Sequence, residues 1–444
     1  MSHTPALSPP TVGNNLKADS RSRAWAMTGI VMILYMVNYG DKIVYGLIAQ
    51  PLAEEVGLTS SQIGLVGSLF FLAYAIGGFF VGPINRWLSI RWALLLLALA
   101  WGFTMLPLAI WATFAVLVAS RVLLGLTEGP ASGLIHVAAY SWHPAEKRSL
   151  PGAIIASAAP IAKMCLAPAI AFTVATWGWR PAIIGMSTLG ILWCCLWLFT
   201  WKDGPYGETR ASKLDIKPTA ASKISWRSVF ITPTFLGGLA VVVPMYAVLS
   251  LIMTWLPSYF ETALGLSRLQ SGGLLAIPSA VSLIAMFGIS YLSDRLVSRG
   301  ASVRVLRGVV PASAVLLCGA CLMVLPHAGS AALAVTVISI GYGFGTIAFP
   351  IVNSAISLLP PKTQLAGTLG TFIALMATGG VLAPYFAGAL LDQAATPAAG
   401  FAMAFTIIGL VVSIGAIVGI FTINPVRDAQ RLLDSIKHTT SKEN

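Results

Sequence analysis

Five ionisable side chains interrupt runs of sequence that are otherwise apolar: Asp41, Lys42, Arg121, Glu128 and Lys163. A charge near the centre of a membrane helix costs about 2.5–3.5 kcal/mol, so such residues are retained for pairing, for holding a ligand or for moving protons. Arg121 and Glu128 stand seven residues apart, two helical turns, and therefore share a face. Gly125 and Gly129 fall between and beside them in Arg121-x-x-x-Gly125-x-x-x-Gly129, a spacing that lets another helix approach closely. The carboxyl groups of Asp41 and Glu128 can take up protons, and the three cations can hold an anion. A structural ion-pair network is the other use of the same set. Lys163 has two open roles, as counter-ion of Glu128 or as ligand of a substrate anion.

The elements that must position these groups follow from composition. The 444 residues are 57% hydrophobic and 9% charged, against about 25% charged in soluble proteins, which excludes both a soluble globule and a disordered chain. Twelve apolar runs are long enough for a bilayer core of about 30 Å: 24–49, 62–85, 91–112, 114–140, 151–176, 180–202, 230–258, 269–293, 306–327, 330–358, 365–392 and 398–424. The polar, basic segment 203–229 reads as an unhelical linker between an N-terminal bundle (24–202) and a C-terminal bundle (230–424), with tails 1–23 and 425–444. The first run is too long for a signal-peptide core and reads as a retained helix. With both termini cytoplasmic, 22 of the 27 lysines and arginines fall on the cytoplasmic side, in agreement with the positive-inside rule. That distribution accounts for the net charge of +12 without nucleic acid as partner. The five cysteines lie in apolar runs with no metal-ligand spacing, and neither metal nor cofactor is expected.

The loops carry a weak internal repeat. Asn85-Arg86-Trp87-Leu88-Ser89-Ile90-Arg91 follows the second run, and Asp294-Arg295-Leu296-Val297-Ser298-Arg299 follows the eighth. An Asp/Asn-Arg pair with a further Arg, in the same loop of each half, resembles the loop 2–3 signature of the major facilitator superfamily. The span count and the long central loop agree. The resemblance covers nearly the whole chain and implies an all-α integral membrane fold of two six-helix bundles. Asn38-Tyr39-Gly40-Asp41-Lys42 is similar to the Tyr-x-Asp-Arg segment of the anion:cation symporter branch, and Arg121 to Gly129 resembles that branch's fourth-span motif. Tyr74, Gly178-Trp179-Arg180 and Gly380-x-x-x-Pro384-x-x-x-Gly388 match as well. The resemblance implies proton carriers at Asp41 and Glu128, an Asp41–Arg121 pair, and substrate contacts at Tyr39, Tyr74 and Lys42. The branch has arginine where this chain has Lys42, a point charge that cannot make the bidentate fork. Lys163 matches no rule of the family.

The expected activity is symport of an organic carboxylate with protons, inward, by a monomer in a multi-pass membrane location, with a bacterial inner membrane implied by the resemblance. Tyr246, Tyr342, Asn353, Thr371 and Phe372 are candidates to line the cavity from the second half, as is helix packing for each. Such a lining favours an aromatic or apolar carboxylate over a sugar acid, whose hydroxyls need polar partners. His136 is open to two readings, proton path or structural histidine. No nucleotide loop or nucleophile elbow is present, and an enzyme is not expected. The alternative is a proton-coupled exporter of hydrophobic compounds, against which the three buried cations and the missing Gly-Pro motif in span 5 argue.

Overall fold

The computed structural model describes residues 18–143, 149–206, 224–360 and 364–443. Of the basic residues assigned above to one side of the membrane, Lys17, Lys147, Arg148, Arg210, Lys213, Lys217, Lys223 and Lys362 lie outside these residues, as does most of the linker. The chain is all-α. Among the described residues twelve helices are long and apolar enough to cross a membrane. In the first half they are α1 (Ser22–Val56), α2 (Ser60–Gly78), α3 (Ile90–Ile110), α4 (Phe114–Tyr140), α5 (Pro151–Trp177) and α6 (Trp179–Thr200). In the second they are α7 (Pro233–Ala263), α8 (Arg268–Ser298), α9 (Val305–His327), α10 (Ala331–Ile356), α11 (Gly367–Gln393) and α12 (Pro397–Thr422). A further helix, α13 (Pro425–Glu443), follows.

The two halves start their helices alike. Thr59 opens α2 with a reciprocal capping box: its hydroxyl accepts from the Gln62 N–H at 3.3 Å while the Gln62 side-chain oxygen accepts from the Thr59 N–H at 3.0 Å. Ser267 and Gln270 repeat this at α8, at 3.3 and 3.0 Å. Gly57 (φ 73°) and Gly265 (φ 68°) turn the chain two residues before each box, a left-handed conformation that disfavours other residues. Thr113 and Ser330 likewise cap α4 and α10.

Two elements differ from the sequence expectation. The second run is not one helix to residue 85; it stops at Gly78 and a separate short helix, Val81–Trp87, carries Asn85 and Arg86. The segment 203–229 is not wholly unhelical, since Trp226–Phe230 forms a short helix before α7. In addition, α4 is interrupted at Gly129-Pro130, directly after Glu128, where proline has no N–H for the helical ladder.

Small residues bring the halves together, and they do so away from the termini. A Cβ at Gly46 of α1 would strike the Met253 carbonyl oxygen of α7. One at Gly64 of α2 would strike Pro384 of α11, one at Gly388 would strike Ser60, and one at Gly272 of α8 would strike Ala171 of α5. Polar bonds reinforce the same end. The Asp392 carboxylate of α11 accepts from the backbone N–H of Ser60 (2.8 Å) and of Ser61 (2.7 Å), which are orphan donors at the N-terminus of α2. Arg268 of α8 pairs with Glu54 of α1 at 3.2 Å. Between the halves, on the terminus side of these contacts, lies a cavity of about 310 Å³. Among the described residues the cleft is thus closed at one end and open toward the end that carries both termini.

At that open end Asp428 of α13 is 1% exposed and accepts from the Thr234 N–H (2.9 Å), the Thr234 hydroxyl (2.7 Å) and Arg427 Nε (2.8 Å). Burial pushes its carboxyl up, but the bonds from Arg427 and Thr234 outweigh that and hold it below the usual value. Stability from a depressed carboxyl is complete above the unfolded pKa of about 3.9 and is lost as pH falls through the folded value. The melting-temperature difference between the wild type and Asp428→Asn should therefore be constant above about pH 5 and shrink below about pH 4. At the closed end, Asp392→Asn removes a charge-assisted cap of about 1.5–3 kcal/mol. On a cysteine-free background, labelling of Thr254→Cys by an impermeant maleimide should quicken roughly tenfold when Asp392→Asn is added.

Candidate functional site

The five charges anticipated in the first half are all buried: Asp41 is 7% exposed, Lys42 4%, Arg121 2%, Glu128 0% and Lys163 5%. Four of them are gathered between α1, α2 and α4. Gly125 and Gly129 of α4 make this possible, because their missing side chains leave room for the Phe70 and Tyr74 carbonyls of α2.

The pairing within this cluster differs from the expectation. The Lys42 ammonium donates to Glu128 Oε2 at 2.5 Å and to Asn38 Oδ1 at 2.5 Å. Arg121 does not bond the Asp41 carboxylate; its Nη1 donates to the Asp41 backbone carbonyl at 2.9 Å. Among the described residues no cation lies within 4 Å of the Asp41 carboxylate. The Arg121 guanidinium instead lies over two rings, Phe70 at 4.3 Å and Tyr45 at 4.5 Å from the ring centres. Lys42 is likewise 4.9 Å from the Tyr74 ring centre, 5.2 Å from Tyr39 and 5.7 Å from Phe70. Rings thus supply part of the solvation that water would give, and Phe70 serves both cations. Among the described residues Glu128 Oε1 has no hydrogen-bond partner, so one lone-pair side of the carboxylate is free to take a proton.

Lys163 is apart from this cluster. It does not pair with Glu128. Its ammonium donates to the Tyr342 hydroxyl at 2.5 Å, from α5 of one half to α10 of the other, and sits on the cavity wall. Among the described residues no carboxylate lies within salt-bridge distance of it. Tyr39, Tyr246, Tyr342 and Asn353 also line the cavity, and Asn353 Oδ1 is a buried acceptor without a partner. His136 is on the same wall, its Nδ1 2.7 Å from the Ser132 carbonyl oxygen. Phe372 does not reach the cavity. It is 0% exposed and packs edge-on against Phe235 with ring centres 5.3 Å apart, because the α11 face that carries it turns to the α7 core.

The loop residues fall at the open end. Asp294 pairs with Arg307 of α9 at 3.2 Å, not with Arg295 or Arg299, which are exposed and without an ion pair among the described residues. Arg91 donates to the Leu198 carbonyl at 2.8 Å, tying α3 to α6; Arg86 is exposed and Asn85 is half-buried beside it.

The sequence profile described as the Major Facilitator Superfamily matches residues 31–384. The chain belongs to that superfamily. It is a multi-pass membrane transporter, and its superfamily is one of carriers, not enzymes. A probable sulfoacetate transporter of Cupriavidus necator is 28% identical over 422 residues, covering 90% of this chain and 93% of the relative. A hexuronate transporter of Bacillus subtilis is 24% identical, covering 84% of this chain and 90% of its own. The organic-anion resemblance in the motifs agrees with these names. Among solved structures, a D-xylose–proton symporter superposes with a TM-score of 0.73 at 15% identity, covering 91% of this chain and 99% of the symporter. That likeness shows the superfamily fold.

Several participants were not singled out from the sequence. Asn38, one helical turn before Lys42, follows the i,i+4 rule that would have found it. Tyr35 stacks edge-on against Tyr39 at 5.0 Å and lines the cavity. Glu55 is what the Gly178-Trp179-Arg180 segment holds: Trp179 Nε1 and Arg180 Nη1 both donate to it at 2.9 Å.

Arg121→Lys tests the stacked geometry. A lysine cannot keep both the bond to the Asp41 carbonyl and the contacts with the two rings, so the variant should lose about 1.5–3 kcal/mol of stability, read as a lowered melting temperature in detergent. An unchanged melting temperature would mean that the stacking contributes nothing.

Proposed function

We propose that this transporter carries an organic anion together with protons by alternating access, in the uptake direction. The observation that carries the reading is Lys163, a buried ammonium on the cavity wall whose partner is a neutral phenol. Lys42 is already matched by Glu128, and the excess positive charge is therefore at the cavity. An anionic headgroup, carboxylate or sulfonate, binds there against Lys163, Tyr342 and Asn353 and replaces the water that the ammonium lacks. Tyr39 and Tyr246 supply ring faces around it, while Tyr74, which does not line the cavity, stands over Lys42.

Glu128 is the principal proton carrier and Asp41 the second. Protonating Glu128 dissolves its ion pair with Lys42 and raises the positive charge of a low-dielectric site, which strengthens its hold on an anion. Deprotonation on the other side restores the pair and favours release. The termini and the open end of the cleft face the cytoplasm of a bacterial inner membrane, with loops of Arg86, Arg91, Asp294, Arg295 and Arg299 at that face, and the working unit is a monomer.

The wall of tyrosines, Phe349 and Met376 favours an aromatic or otherwise apolar acid. Sugar acids are the second reading, supported by the names of relatives such as the hexuronate transporter.

The test is uptake into proteoliposomes with an imposed pH gradient, over aromatic acids, sugar acids and small sulfonates. Glu128→Gln should lose proton-driven accumulation by about a hundredfold while keeping exchange of substrate across the membrane. Lys163→Gln should weaken substrate binding roughly tenfold or more. Transport confined to cationic or neutral hydrophobic compounds would sink the reading and promote an exporter.

A further inference from the structure

The buried charges set the charge that a co-transported anion must carry. This inference rests on the proton–anion reading above and names the substrate class of the same site. Of the five charges Lys163 lines the cavity, and the other four form the cluster that lies behind its Tyr39 wall; all five come from three helices. Asp41 and Lys42 lie on α1, Arg121 and Glu128 on α4, and Lys163 on α5. The phenols of Tyr39 and Tyr246 and the imidazole of His136 stand beside them. The second half adds hydroxyls, amides and rings to the cavity wall but no charged side chain.

With both carboxylates ionised and His136 neutral, three cations against two anions leave one positive charge. Protonation of Glu128 makes it two. An uncompensated charge in a water-poor site is costly, and the cost falls when the ligand cancels it. A monoanion cancels the unprotonated site. The protonated site needs two negative charges.

We propose that the co-transported substrate is a dianion, a dicarboxylate or a sulfonate–carboxylate, with one acidic group at Lys163 and the other at Lys42 once Glu128 has taken up a proton. Two features of the geometry support the arrangement. The Lys42 ammonium bonds one carboxylate, Glu128, and otherwise the neutral oxygens of Asn38, so protonation of Glu128 leaves it without an anion. Tyr39 connects the two poles: its ring is on the cavity wall and its centre is 5.2 Å from Lys42 Nζ. The volume of about 310 Å³ suits a short diacid. The proton enters as H⁺ onto Glu128 Oε1, the free carboxylate oxygen, and leaves from it; no other bond is made or broken.

The experiment uses matched pairs that differ by one charge: succinate, glutarate and phthalate against their monoamides, and sulfoacetate against sulfoacetamide. Binding to the purified full-length carrier is measured by thermal shift and calorimetry at pH 7.0, with proton uptake followed by an indicator dye. At least one diacid should bind roughly tenfold or more tightly than its monoamide and take up about one proton. Glu128→Gln should keep the preference and lose the proton uptake. Lys163→Gln should narrow the ratio to about twofold. The ratio is internal to each variant, so general damage to the fold does not imitate the result, and Lys163→Met repeats the test if Lys163→Gln does not fold. A monoamide that binds as well as its diacid and still takes up a proton overturns the dianion and leaves anion symport standing. Retention of the full ratio in Lys163→Gln overturns the assignment of that pole. Stabilisation by cationic or neutral compounds with no response to any anion overturns both readings.

Discussion

A charge withdrawn from water must find another source of polarisation, and in this protein the source is different for each buried cation. Lys42 has a carboxylate and an amide oxygen. Arg121 has a backbone carbonyl and two ring faces. Lys163 has one phenol hydroxyl reaching across from the other half. The gradient from fully matched to barely matched defines the site. Replacing a matched buried pair with apolar residues is often neutral or stabilising, so stability alone does not explain such pairs. A cation left with a neutral partner is explained by a ligand that completes it.

The asymmetry between halves has a mechanical consequence. Among the described residues the charged side chains at the cavity and in the cluster beside it sit on α1, α4 and α5, so on the proposed reading a bound anion would belong electrostatically to the first half. The second half would meet it with Tyr246, Tyr342 and Asn353, neutral groups whose bonds could be exchanged at little cost in alternating access. Lys163–Tyr342 is one such bond between halves. At the closed end the halves touch through glycine and proline backbones, with Asp392 and the Glu54–Arg268 pair as polar locks. Both locks are partly solvated: the Glu54–Arg268 surface pair contributes about 0–1 kcal/mol, and the Asp392 cap about 1.5–3 kcal/mol. Polar contacts of that strength are compatible with repeated opening.

The membrane fold was legible because it rests on a length scale. Twenty apolar residues span a bilayer whatever their order, and the twelve runs were read with ends wrong by a few residues. The exception at Gly78 is instructive: apolar residues continue to Ile84, so hydropathy alone does not register the turn at Phe79–Phe80. The residues of the site were legible as charges out of place, but their pairing was not. Lys42 bonds Glu128 and Arg121 bonds the backbone carbonyl of Asp41, neither being the partner that the resemblance implies, because pairing depends on rotation about helix axes and on which rings are near. One readable signal was missed. Gly57-Leu58-Thr59-x-x-Gln62 and Gly265-Leu266-Ser267-x-x-Gln270 repeat a turn and a capping box at the same place in each half, a clearer trace of duplication than the charged loops.

The duplication sharpens the question of why charge survives in one half only. If two equivalent halves each held ion pairs facing the cavity, every opening would separate charges across a widening, hydrating cleft, and each state would carry its own desolvation cost. On the proposed reading, confining the cavity-side pairs to one half would let proton and anion be exchanged without separating those pairs as the halves move. The break in α4 at Gly129-Pro130 stands directly after Glu128, where a change of its partner can be relayed into the terminus-side half of that helix. The same position thus joins the proposed proton carrier to a break in the helical ladder. An ion-pair network serving stability alone would not require that join.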